Sequence, residues 1–267
     1  MASINRALRE QNLLALYHKL VDLVPDISDQ YSSWKIDNKY LELKVRGMHA
    51  FQLSLVSHAM RIIAADPFIG KELTVVDIGD SSGTHLKYLK GIYPDRSMRC
   101  LSINLDNEAV KKIRSKNLEA VCARAEELSS LSIKADIFLS FEMVEHLMNQ
   151  CKFLHDLSEK TDCKLFVMTV PYVRNSRVGL YHVRNGVKRD VNPENTHVYE
   201  LSPQDYRLLF QHCGWNIVAE KIYSQYPRRS IFGDLMKRYW RKYDFEGFYG
   251  IVLSRDKSWS ALYNGWE

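Results

Sequence analysis

The chain has 267 residues, 46% of them hydrophobic, and a formal net charge of +5. That is enough for one large globular domain, or one domain with an appendage, and too apolar for a disordered chain. No apolar run approaches the roughly 18 residues of a membrane span, and the charge-interrupted N-terminus makes a poor secretory signal. The five cysteines (Cys100, Cys122, Cys151, Cys163, Cys213) are scattered and form no Cys-x-x-Cys pair. They read as reduced thiols of a cytoplasmic protein rather than as a disulfide or zinc framework.

In chain order, residues 4–24 place apolar side chains three and four apart and predict a helix. Residues 26–33 form a polar break, and 38–65 carry a second, longer helical pattern. Two helices ahead of an alternating domain suggest a cap or lid over residues 1–67. From Leu73 the pattern alternates. Strands are expected at 73–78, 98–105, 119–123, 135–141 and 164–170, with helices at 83–93, 107–117 and 142–160 between them. Such alternation implies right-handed βαβ units and a parallel sheet covered on both faces. Residues 172–201 have no clear period and read as a long functional loop. A helix follows, with Ser202 as N-cap, Pro203 at its first position and Gly214 beyond its end. Residues 215–224 and 247–256 are the last two strands. Between them, residues 226–245 hold six positive and two negative side chains. This segment is either a solvated helix face or a site for an anion or a membrane surface.

The stretch VVDIGDSSGTHL, residues 75–86, joins a strand to a helix through small residues. Gly79 allows a tight turn and close backbone approach, and Gly83 lets the chain enter the helix beside a ligand. The helix N-terminus then offers free N–H groups. Asn104 follows Gly83 by 21 residues, where a ribose-binding side chain stands in nucleotide-binding sheets. The loop alone fits an ordinary turn almost as well. Its neighbours decide.

The ordered series DIGDSSG (77–83), NLDNEA (104–109), SFEMVEHL (140–147), TVPY (169–172) and the tail from His197 to Trp215 resembles class I S-adenosylmethionine-dependent methyltransferases. Within that class it is similar to the broad group that includes the ubiquinone-biosynthesis O-methyltransferases. The resemblance spans roughly residues 72–252. It implies an α/β, Rossmann-like, doubly wound sheet of seven strands, mostly parallel with the last antiparallel, behind an N-terminal helical cap. The methyltransferase domain would run over 68–267, with a basic insert at about 225–246. The resemblance also implies that S-adenosylmethionine contacts Asp77, Gly79, Asp80, Ser81, Ser82, Gly83, Asn104, Leu105, Asp106, Ala125, Glu126 and Phe141.

Three residues depart from the family pattern. Ser81 replaces a glycine, and its hydroxyl could bond the cofactor's methionine carboxylate. Asn104 replaces an acid, trading a charge-assisted bond for a weaker neutral one, and Asp106 could compensate. Arg124 stands where an acid contacts adenine, and it accepts no hydrogen bond, so Glu126 or a backbone carbonyl must serve. Weaker cofactor binding is the expectation.

Methyl transfer to a hydroxyl needs alignment, exclusion of water and removal of a proton. On a helix beginning at Glu142, residues Glu142, Glu145 and His146 share one face. His146 could be a general base with a pKa suited to neutral pH. Alternatively, Glu142, Glu145, His146 and His197 could bind a divalent cation such as Mg. A third reading leaves Glu142 on the cofactor, with Glu145 and His146 supporting the helix start. By resemblance His197 faces the acceptor, with Tyr172, Tyr181, His182 and Arg184 as weaker contacts. The catalytic candidates are therefore His146, His197 and Glu142. The leading function is O-methylation of a small or glycan-like, anionic acceptor, with no DNA partner. The alternatives are ribose 2′-O-methylation of RNA and a non-catalytic interaction protein, and 226–245 could touch a membrane surface.

Overall fold

The computed structural model describes all residues except 32–34, 67–69, 132, 189, 194–195, 227–246 and 264–267. The basic segment, apart from Tyr226, lies outside the described residues.

Seven strands form one sheet: β1 (Leu73–Ile78), β2 (Met98–Asn104), β3 (Glu119–Cys122), β4 (Ile137–Phe141), β5 (Leu165–Pro171), β8 (Trp215–Ser224) and β9 (Gly247–Arg255). Their order is β3-β2-β1-β4-β5-β9-β8. The first five are parallel, and β9 runs antiparallel to both β5 and β8. Successive residues of the central strands go to opposite faces, and both faces are buried. Val75, Ile137 and Val167 enter one core cluster, while Val76, Phe138 and Met168 enter the other. This is why these strands read as continuous apolar runs rather than half-polar ones.

The first face carries α1 (Ala2–Glu10), α2 (Leu14–Leu23), α3 (Lys39–Ala64), α4 (Thr84–Ile92) and α5 (Asn107–Ser115). The second carries a 3-10 segment (Ala125–Leu131), α6 (Gln150–Lys160) and α8 (Pro203–His212). The short α7 (Tyr181–Arg184) and a two-residue ladder, β6 (Arg177–Val178) with β7 (Tyr199–Glu200), organise the long loop. Among the described residues no helix is long and apolar enough to cross a membrane.

Two helices expected to be continuous are broken. The first splits at Asn12, whose φ of 58° ends α1 before α2 begins. The second expected helix, 142–160, does not start at Glu142. That residue has φ 52°, Val144–His146 form a 3-10 turn, and α6 begins only at Gln150, where the Asn149 side chain caps Lys152 N–H. Glu142, Glu145 and His146 therefore do not share a helical face.

The N-terminal helices join the sheet's own core: Ile4, Leu8, Leu20 and Phe51 belong to the same cluster as Val75 and Val167. Arg46 on α3 is fully buried and fixes the chain between α2 and α3. It donates to Val24 O at 2.7 Å, Pro25 O at 2.6 Å and the Tyr88 hydroxyl at 3.1 Å, and pairs with Glu42 at 2.7 Å. A buried guanidinium is tolerable only when its donors are satisfied in this way. The consequence is positional, because residues 26–31 are delivered onto the loop after β1.

Candidate active site

Strand order reverses between β1 and β4, and a cavity of about 470 Å³ opens there at the carboxyl ends of β1, β2 and β4. Gly79, Asp80 and Ser81 line it from the first loop, Asn104 and Leu105 from the end of β2, Ala125 and Glu126 from the 3-10 segment, and Phe141 and Glu142 from the end of β4. His146 also lines it. Asp77, Ser82, Gly83, Asp106, Glu145 and His197 are not among the lining residues.

Gly79 has φ 95°, and a Cβ there would lie 3.0 Å from Met143 Cγ. Gly83 has φ 75°, and a Cβ would meet Leu118 Cδ1 at 2.6 Å. Both positions need glycine, one to turn beside the cavity and one to set α4 against α5. We expect Gly79→Ala to weaken S-adenosylhomocysteine binding at least about tenfold, since left-handed backbone costs an L-residue roughly 1–2 kcal/mol before any contact is lost. Calorimetric titration of the variant checks this.

The serines do not point hydroxyls at the cavity as donors in waiting. Ser81 Oγ donates to Gln30 O at 2.8 Å, and Ser82 Oγ to Gln30 Oε1 at 3.1 Å. Beside them Lys116 pairs with Asp29 at 2.8 Å, and Lys112 donates to Asp29 O at 2.9 Å. The serines thus bind the N-terminal segment onto the loop. Asn104 is similarly engaged, donating to Asp80 O at 3.2 Å and accepting from Asp106 N–H at 2.7 Å. Asp106 itself caps α5 through Glu108 N–H. Arg124 pairs with Glu126 at 3.5 Å.

The connection between α2 and α3 contributes Gln30 and Tyr31 to the cavity wall, and α3 contributes Met48, His49 and Gln52. The sequence reading missed them. A signal was present: Arg46, His49 and Gln52 recur every third residue on the otherwise apolar face of α3, and all three are buried. Gln52 joins a buried chain of hydrogen bonds. Asp77 Oδ2 meets His85 Nδ1 at 3.2 Å, His85 Nε2 meets Gln52 Oε1 at 3.2 Å, and Gln52 Nε2 donates to Thr169 Oγ1 at 3.1 Å. A glutamine Oε1 only accepts, so His85 Nε2 carries a proton. Thr169, occupied as an acceptor, turns its hydroxyl to the Glu142 carboxylate. Burial and the neighbouring Asp80 push Asp77 up to about 6. Burial lowers the His85 pKa, but the Asp77 hydrogen bond and the charges of Asp77 and Asp80 outweigh it and raise the value.

Glu142 lines the cavity at the end of β4. Its Oε1 is buried without a partner, and burial pushes its pKa up to about 8 against the pull of Thr169. Its left-handed backbone, φ 52°, is uncommon for a residue with a side chain and strains the chain here. His146 donates from Nδ1 to Thr196 O at 3.1 Å, since a carbonyl can only accept, which leaves Nε2 as the bare nitrogen. Burial and the adjacent His197 lower its pKa to about 4, in place of the near-neutral value expected from the sequence. The two imidazole rings meet edge-on at 4.7 Å. His197 Nδ1 lies 2.8 Å from Glu200 Oε1, and Arg177 holds the same carboxylate. Burial raises Glu200, but His197 and Arg177 outweigh it and lower its pKa.

A methyltransferase-domain family model matches residues 48–220, well over half of the chain. The chain belongs to the methyltransferase-domain family. With its sheet order and its loop after β1, it is a class I S-adenosylmethionine-dependent methyltransferase. The match begins inside α3, so the residues His49 and Gln52 fall within the methyltransferase domain as the family model draws it.

Solved structures agree on the fold. A candidate sarcosine dimethylglycine methyltransferase of Galdieria sulphuraria superposes with a TM-score of 0.57 at 12% identity, covering 81% of this chain and 88% of that one. The O-methyltransferase of a trans-AT polyketide synthase from Brevibacillus brevis, solved with S-adenosylhomocysteine, gives 0.52 at 12% identity, covering 89% and 79%. The 4+2 cyclase SpnF gives 0.52 at 11% identity, covering 95% and 97%. That last likeness is a reminder that the fold hosts more than one chemistry. No curated protein matches the sequence.

Proposed function

We propose that this methyltransferase transfers the methyl group to a hydroxyl oxygen of a small acceptor held against Glu142 and His146. The observation that carries the reading is Glu142 in the cavity wall, one of whose carboxylate oxygens, Oε1, is buried without a partner, with a pKa near the working pH. S-adenosylmethionine, when bound, supplies an electrophilic methyl group on a sulfonium. The loop at 79–83 fits its methionine end, where Asp80 Oδ2 is buried without a partner. The walls formed by Leu105, Ala125 and Glu126 fit its nucleoside end. In this reading residues 26–31 and α3 act as the lid. Glu142, once ionised, accepts the reacting O–H and takes its proton, while His146 accepts a hydrogen bond at Nε2 from a second donor of the acceptor and orients it.

The wall favours a neutral hydroxyl. Among the described residues Arg124 is the only Lys or Arg lining the cavity, and it is paired with Glu126. The expectation of an anionic acceptor rested on the arginine-containing loop at 172–201 and on the basic segment 226–245, which apart from Tyr226 lies outside the described residues. A ribose diol falls within the class of neutral hydroxyl acceptors.

A second reading has its own observation. Both Glu145 oxygens are buried without partners, and donor atoms of Glu145, His146 and His197 lie within 4.8 Å of one another. Glu142 is not in this group. Two imidazoles and one carboxylate suit a borderline cation better than Mg, which favours oxygen. Such an ion would polarise the acceptor hydroxyl in place of the proton transfer.

The pH–rate profile separates the two. Assayed by S-adenosylhomocysteine release over a panel of phenol, sugar and ribose acceptors, kcat/KM should rise about tenfold per pH unit and level off near pH 8. Loss of activity on chelation, restored by added cation, would favour the metal reading.

A further inference from the structure

The second helical layer holds a chemistry that methyl transfer does not use. Cys151 lies in the first turn of α6, and Cys213 caps the end of α8. Their sulfurs are 3.6 Å apart. Cys213 is fully buried, while Cys151 is half-buried and reaches solvent. The hydrogen bond from Cys213, aided by His212 and His155 and opposed by burial, lowers the Cys151 pKa to about 6. The same pairing and burial raise that of Cys213. The remaining thiols differ. Burial pushes Cys100 up to about 11 and Cys163 up to about 12, and Cys122 is exposed, its thiol donating to Leu105 O at 3.6 Å.

We propose that Cys151 and Cys213 form a peroxide-reactive dithiol site, with Cys151 as the attacking thiolate and Cys213 as the resolving thiol. Cys151 attacks the peroxide O–O bond. An S–O bond forms, the O–O bond breaks, and the departing hydroxide takes a proton to become water. Cys213 then loses its proton and attacks the Cys151 sulfur. An S–S bond forms, the S–O bond breaks, and a second water leaves. Two thiols lose two electrons in total, and one hydrogen peroxide becomes two waters. The sulfurs need to close from 3.6 Å to about 2.05 Å, a small adjustment of two side chains.

The site sits on the seam that supports the acceptor side of the cavity. Gln150, next to Cys151, donates to Tyr199 O at 3.1 Å and accepts from Tyr206 on α8. One turn earlier, Val198 N–H donates to Glu145 O at 2.7 Å. A bond between α6 and α8 would tie together the two segments that carry His146 and His197.

The test uses the full chain carrying Cys122→Ser, treated with hydrogen peroxide and examined by intact mass and non-reducing peptide mapping. The expected result is a loss of about 2 Da, reversed by dithiothreitol, with one cross-linked peptide pair containing Cys151 and Cys213. In a further Cys213→Ser variant, Cys151 should stop at the sulfenic acid and be labelled by dimedone. A disulfide through Cys100 or Cys163, no disulfide at all, or no dimedone label at Cys151 would each overturn the proposal. The cross-link map needs no substitution inside the core, so it stands even if the Cys213→Ser variant fails to fold.

Discussion

Glu142→Gln should lower turnover on a hydroxyl acceptor by about 10²–10⁴-fold, the usual worth of a positioned base, and yet stabilise the protein at alkaline pH. The two effects share one cause. Burial raises the Glu142 pKa from its ordinary 4.5 to about 8. For a group whose folded pKa is raised, the associated stability is fully present below the unfolded value and is lost as pH rises through the folded one. The wild type therefore loses stability as pH rises from about 4.5 to about 8 and stays at the lower level above that, because an ionised carboxylate must stay buried. The glutamine variant does not. The full shift would be worth about 5 kcal/mol. Because the residue keeps some solvent contact, on the order of 3 kcal/mol at pH 9 is the expected gain. Denaturant unfolding at pH 4 and pH 9 checks it: the curves should nearly coincide at the lower pH and separate at the higher. Equal stability at both would show that Glu142 ionises freely.

His146→Ala should cost about 10–100-fold in kcat/KM, the scale of a misplaced reactant, without moving the alkaline limb of the pH profile. Its burial and the adjacent His197 hold its pKa near 4, so it stays neutral and orients through Nε2 rather than titrating in the working range. Removing the ring also removes the bond to Thr196 O, so the alanine result alone mixes chemistry with loop placement. His146→Asn separates them, since its amide can still donate to Thr196 O but offers nothing at the Nε2 position. Asparagine should keep the folded stability and be as slow as alanine. A fully active asparagine variant would remove His146 from the reaction and leave it a loop anchor.

The sheet was legible because its strands are buried on both sides. Val75–Ile78 and Leu165–Val170 are short, mostly apolar runs between turn residues, broken only by Asp77 and Thr169. The cavity's two flanks were legible for the same reason, since Gly79 and Asn104 follow directly from strand ends. Glu142 was misplaced for a different reason. E-x-x-E-H has helical spacing, and nothing local announces that Glu142 takes φ 52° and that the chain makes only a 3-10 turn before Asn149 restarts it. The roles of Ser81 and Ser82 depend on Gln30, about fifty positions earlier, and the chain through His85, Gln52 and Thr169 joins three elements far apart in sequence. Contacts of that separation are set by tertiary packing, which the local pattern does not encode. The buried polar spacing on α3 was the one readable trace of it.

The proposed cofactor site is the cavity between β1 and β4, despite Ser81, Asn104 and Arg124. Isothermal titration of the full chain with S-adenosylhomocysteine tests that most directly. One molecule should bind per chain with saturation well below millimolar ligand, and Gly79→Ala should weaken it. No heat at millimolar ligand, or wild-type affinity in Gly79→Ala, would contradict it.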